Sequence, residues 1–259
     1  MKMYKIFALM YADFMLMKNA KWRAAEYFYF PITTVIIWGM FSLFLESYAF
    51  QAGLIVLTVN ILWNFAYLAQ SHANMQINED SWSGSLKQII ITGVSDFEYI
   101  TARILSATIL SILMLILLIG LSITIFNLSI ILAQWEIFSL LILSTLIASI
   151  GLSIIVAGLM IILGKEYGFL AWTTMQIFIL LSAPFYPVSI FPDFIRPIVS
   201  VMPYTWVFEA TRNVIEGTMV QSTLVNGFYV ALAYFIISLP FYKHVFKKAR
   251  EMGWLVRLS

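Results

Sequence analysis

Two stretches of this chain, residues 104–126 and 137–163, contain no Asp, Glu, Lys, Arg or His. About 20 consecutive apolar residues in a helix cross the ~30 Å hydrocarbon core of a bilayer. In lipid the backbone must satisfy its own hydrogen bonds, so runs of this kind form helices. Four further apolar blocks follow the same logic. Residues 27–45 form the first, closed by Glu46, with Pro31 in the opening turn where a missing N–H matters little. Residues 53–69, extending toward 73, form the second, and residues 224–242 form the last. The remaining block begins near Phe169 but meets Pro184 and Pro187 after about fifteen residues, short of the length a span needs. Hydrophobic residues make up 62% of the chain and charged residues 11%, against about 45–50% and about 25% in soluble domains. The expected fold is therefore all-α: one polytopic membrane domain over residues 1–259 with six transmembrane helices, the fifth broken near its far end.

The flanks are read from charge and periodicity. Residues 1–26 carry Lys2, Lys5, Lys18, Lys21 and Arg23, with Met3, Phe7, Met10, Phe14 and Met17 at helical spacing. This pattern predicts an amphipathic interface helix. A cleaved signal peptide competes, but Asp13 interrupts the apolar run and no small-residue cleavage site follows. Residues 184–220 are too apolar for a free loop and too interrupted for a simple span. Pro184, Pro187, Pro192 and Pro203 mark their turns. They are expected to form two short helices that either dip partway into the membrane as re-entrant segments, buried in protein or lining a wet cavity, or lie on its outer surface. Of the fifteen Lys and Arg, only Arg196 and Arg212 fall in segments on the opposite side from the termini. The positive-inside rule then places both termini in the cytoplasm, along with the polar stretch 78–98. Lys247, Lys248 and Arg250 suit anionic lipid headgroups.

The chemistry that is missing narrows the function. The chain has no cysteine, and its two histidines, His72 and His244, lie far apart in sequence. The spans hold almost no ionisable groups, which argues against an ion-driven carrier. No G-x-S-x-G or H-E-x-x-H motif occurs. The stretch 158–166 imitates a P-loop but has five residues between its glycines and Glu166 after the Lys. No enzyme activity, metal site or bound cofactor is expected in this chain, nor a nucleic-acid partner.

Three stretches carry a family resemblance. NEDSWSGSLKQIIITGVSDFEYITARI (78–104), APFYPVSIFPDFIRPIVSVMPYTWVFEATRNVI (183–215) and the layout of an amphipathic helix before six spans resemble the permease subunits of ABC-2-type ABC exporters. WRAAEYFYFPITTVIIWGM (22–40) is similar to the start of the first span in some bacterial members. Val94 departs from the pattern, since many members have Pro there. The resemblance implies a prokaryotic inner-membrane permease that pairs with itself or a paralogue and carries two copies of a separate ATP-binding subunit. That subunit binds the ATP and Mg. Residues 78–93 would hold a coupling helix, with Glu79 and Asp80 meeting basic groups of the motor or capping the helix. Leu86, Ile89 and Ile90 would fill an apolar groove there. Glu209 and Arg212 would stand at the polar end of an outer re-entrant gate. Substrate would pass between the permeases.

Other residues are read from position alone. Asn60 and Asn64 share a helix face and, with Gln70, face either a pathway or neighbouring helices. Tyr186, Tyr204, Trp206 and Phe208 line an exit or belong to an interfacial aromatic belt. The competing functional readings are a non-transporting membrane scaffold and a channel subunit.

Overall fold

The computed structural model describes residues 2–218 and 220–252, leaving aside the side chains of Arg23, Ala24, Glu26 and Lys165. All its regular structure is helical. In order the helices are α1 (Met3–Asn19), α2 (Lys21–Glu46), α3 (Phe50–Trp82), α4 (Ser85–Ile91), α5 (Asp96–Phe126), α6 (Ile130–Ala133), α7 (Trp135–Leu163), α8 (Leu170–Leu181), α9 (Arg196–Ser200), α10 (Thr205–Glu216) and α11 (Gln221–Glu251). Short 3₁₀ turns occupy Lys165–Tyr167 and Val188–Ile190.

Among the described residues, five helices are long and apolar enough to cross a membrane: α2 over Tyr27–Glu46, α3, α5, α7 and α11. The expected fifth span, α8, has 12 residues and rises about 18 Å, well short of a bilayer core by itself. It stops at Ser182, and the chain then turns through Ala183, a non-glycine residue at φ 52.

Several helices extend beyond the apolar blocks. Three differences from the sequence expectation have local causes. The N-terminal helix is interrupted at Ala20 (φ −99, ψ 77), so residues 21–26 belong to α2 and Pro31 lies inside that helix rather than in its opening turn. α5 begins at Asp96, not near residue 104, because Ser95 and Glu98 form a reciprocal capping box. α11 carries Lys243, Lys247, Lys248 and Arg250 as its last turns; cations suit a helix C-terminus. Of the expected basic tail, Arg257 lies outside the described residues.

α3 is the central post. Its apolar window is 78% buried, against 22% for α2 and 17% for α11. Leu57, Ile61, Leu62 and Phe65 of α3 join Met114 and Leu118 of α5, Leu152 of α7, Met175 of α8 and Phe208 of α10 in one core. α7 and α11 pack closely at Gly151: a Cβ there would come within 2.7–2.9 Å of the Tyr234–Phe235 backbone, so a side chain would force the helices apart. A second core, built from Ile77, Leu86, Tyr99, Ile100, Tyr242 and Phe246, gathers the end of α3, α4, the start of α5 and the second half of α11. We call this the basal end. The turns around α9 and α10 form the apical end.

Candidate functional site

The basal junction is built around Asp80. It sits in the last turns of α3, almost sealed from solvent. Oδ1 accepts a hydrogen bond from Ser85 Oγ at the start of α4 (3.0 Å). Oδ2 accepts from Tyr99 OH (2.5 Å) and from Arg103 Nη2 (2.5 Å), both on α5. Tyr99 and Arg103 are four residues apart and share a helix face. The guanidinium lies 5.1 Å from the Tyr99 ring centroid. Its other terminal nitrogen pairs with Asp13 Oδ1 on α1. Ile6, Met10 and Asp13 form the buried stripe of α1. The acid that interrupts the apolar run thus points into the protein, while Phe7, expected on the apolar stripe, stays exposed with Tyr4 and Tyr11. Burial pushes the Asp13 carboxyl up to about 6, against the pull of Arg103.

Two more bonds stitch α1 in place. The backbone N–H of Lys2 donates to Glu98 Oε1 (2.5 Å), and Lys5 Nζ donates to the Gly93 carbonyl (2.5 Å). Sequence reading passed over Arg103 because its partners lie 23 and 90 residues away. An arginine at the edge of an apolar run was the available signal, since a charge there needs a partner.

The residues expected to meet a motor are placed differently. Asp80 is fully engaged within the chain. Leu86 is 2% exposed, and Ile89 and Ile90 are half-buried against the same basal core. At spacing i, i+3, i+4 they form one face of α4, turned into the core that α3, α5, α7 and α11 share. The side of α4 left open carries Gln88, Ile91, Thr92 and Gly93, and Trp82 stands beside it at the end of α3. Ile91 is 74% exposed and Trp82 61%. Glu79 is half-buried at the rim of a cleft of about 430 Å³, between the end of α1 and α2, α3 and α8, whose walls include Tyr27, Phe30, His72, Met75 and Trp172.

At the apical end Glu209 and Arg212 pair at 2.9 Å, as their spacing on α10 allows. Arg212 Nη1 also donates to the Ala183 and Pro184 carbonyls (2.9 and 3.0 Å), and Glu209 Oε1 accepts from the Val188 N–H (3.0 Å). The pair therefore holds the turn that follows α8. Pro184 and Pro203 are buried, while Pro187 and Pro192 are exposed. Pro192 opens the turn into α9, its carbonyl accepting from Ile195 and Arg196. Tyr186 packs against Phe191 and Tyr204 bonds Ser149 (3.1 Å).

Asn60 and Asn64 are buried and bonded to each other (3.1 Å), and Thr34 of α2 donates to Asn64 (3.1 Å). Gln70 donates to the Ala171 carbonyl of α8 (3.4 Å). Asn64 and Gln70 thus tie α3 to α2 and α8, while Asn60 bonds within α3. Among the described residues, no three His, Cys, Asp or Glu gather as a metal site. No protein-family model matches the chain, and no curated protein matches it.

Proposed function

We propose that this chain is the permease subunit of an ATP-driven ABC-2-type exporter. The observation that carries the reading is α4, a seven-residue helix between two long apolar helices, with Ile91 and Trp82 turned outward at its edge. Apolar side chains projecting beyond the membrane-spanning lengths suit a protein partner. In this reading α4 docks on a separate ATP-binding subunit, present in two copies, that supplies ATP hydrolysis. The contact is made by Trp82, Gln88, Ile91 and Thr92, not by Leu86, Ile89 and Ile90. α1 lies on the cytoplasmic face of a prokaryotic inner membrane, with its exposed aromatic residues in lipid and both termini inside. α8 and the residues through α10 together make a sixth, re-entrant passage. A second permease, identical or paralogous, completes the substrate path.

The competing reading is a non-transporting scaffold. It is favoured by Asn60, Asn64 and Gln70, whose hydrogen bonds stay within the chain: Asn60 to Asn64 on α3, Asn64 to Thr34 of α2, and Gln70 to α8. Purification of the tagged chain in mild detergent, with nucleotide hydrolysis measured on the eluate, separates the two. The expected result is a stoichiometric ATPase whose association is lost with Ile91→Asp and kept with Lys87→Ala. A chain that retains its partner with Ile91→Asp overturns the docking surface. A chain with no ATPase in the membrane-extracted complex overturns the exporter.

A further inference from the structure

We infer that Arg103 is a positioning residue, a latch that holds α1 onto α3 and α4 so that the basal helices move as one body. Three helices converge on it. Its two terminal nitrogens reach carboxylates on α1 and α3, and the Asp80 carboxylate that it grips also takes the Ser85 hydroxyl at the head of α4. The side chains of Arg103 and Asp13 are each 3% exposed and that of Asp80 is 7% exposed, so water weakens these contacts little.

The latch matters because α1 has little else to hold it. Of its 17 residues only Ile6, Met10 and Asp13 are buried. Its apolar contact is a small cluster with Ala102, edged by Leu9 and Phe14. The stitches from Lys2 and Lys5 secure the first turn alone. Asp13, near the other end, therefore decides whether the helix lies along α5 or swings free. The geometry needs a guanidinium. Its planar fork spans two acids at once, whereas an ammonium is a point charge on a flexible stem. Displacing α4 pulls on Asp80 through Ser85, and the pull reaches α1 through Arg103. The coupling role rests on the docking role proposed for α4. The latch does not, and its readout is a distance inside this chain.

The chain has no cysteine, so introduced thiols are its sole labelling sites. Spin labels on Tyr11→Cys and Ile91→Cys, both exposed in the parent, report the α1–α4 distance in lipid nanodiscs. A second pair, Leu140→Cys and Ile237→Cys on α7 and α11, reports the body. The expected wild-type result is one narrow distance for each pair. Asp13→Asn and Arg103→Lys are expected to lose the narrow α1–α4 distance and keep the α7–α11 distance. Asp13→Glu, which keeps the carboxylate, is expected to retain both. If Arg103→Lys disturbs the body as well, Asp13→Asn decides, because it touches only the α1 arm. An α1–α4 distance unchanged in Asp13→Asn overturns the latch. So does a body that unfolds in Asp13→Asn, since the acid would then support the whole fold and not α1.

Discussion

Arg103 at the basal end and Arg212 at the apical end are both nearly sealed from solvent, yet their nitrogens meet different partners. Arg103 bonds two carboxylates from helices 23 and 90 residues away in sequence. Arg212 bonds two backbone carbonyls 28 and 29 residues away, and its one acid, Glu209, lies on its own helix. The first arrangement joins separate helices by charge. The second fixes the shape of one turn, and it surrounds a residue, Ala183, whose φ of 52 puts its Cβ against the backbone. Buried cations in one fold thus serve distinct ends: long-range ionic grips create bodies that can part, while carbonyl grips create bends that hold.

Removing each arginine tests that contrast most directly. Arg103→Met leaves two buried carboxylates without their cation, an expected loss of about 3–5 kcal/mol. Arg212→Met leaves two carbonyls unpaired, with an expected loss of about 2–3 kcal/mol. Unfolding in mixed detergent and denaturant measures both; a larger loss for Arg212→Met would reverse the ranking. A finer test relieves the strained turn alone. Ala183→Gly removes the steric penalty of the left-handed conformation while adding flexibility to the unfolded chain, for a net gain of about 0.5–1 kcal/mol. It is expected to add that same gain to Arg103→Met, a distant site, and a different gain to Arg212→Met, which has lost the bond to the Ala183 carbonyl, read by the same unfolding curves.

The spans were legible where the chain is uniformly apolar: residues 104–126 and 137–163 fall inside α5 and within α7. The helix ends were not, because apolar length marks the lipid-facing part of a helix and not its hydrogen-bonded length. Ser95 and Glu98 carried a readable cap that moves the start of α5 to Asp96. α3 continues through Gln70, Asn74 and Asp80 because α8 and α5 supply them with partners or cover, and no local pattern announces that cover. The pairing of Glu209 with Arg212 was readable from spacing, but the Ala183 and Pro184 carbonyls were not. Asp13 read only as a break in an apolar run; its partner lies 90 residues downstream.

The burial of α3 also carries a consequence for how the chain is made. Gln70 and Asp80 find their partners in α8 and in α4 and α5, all of which leave the ribosome after it. α3 is therefore made while those two side chains still lack their partners. α2, synthesised just before it, supplies one partner at once through Thr34. The pair α2–α3 therefore leaves the ribosome with part of its polar flank still without partners, and the packing is completed only when later helices close over that flank.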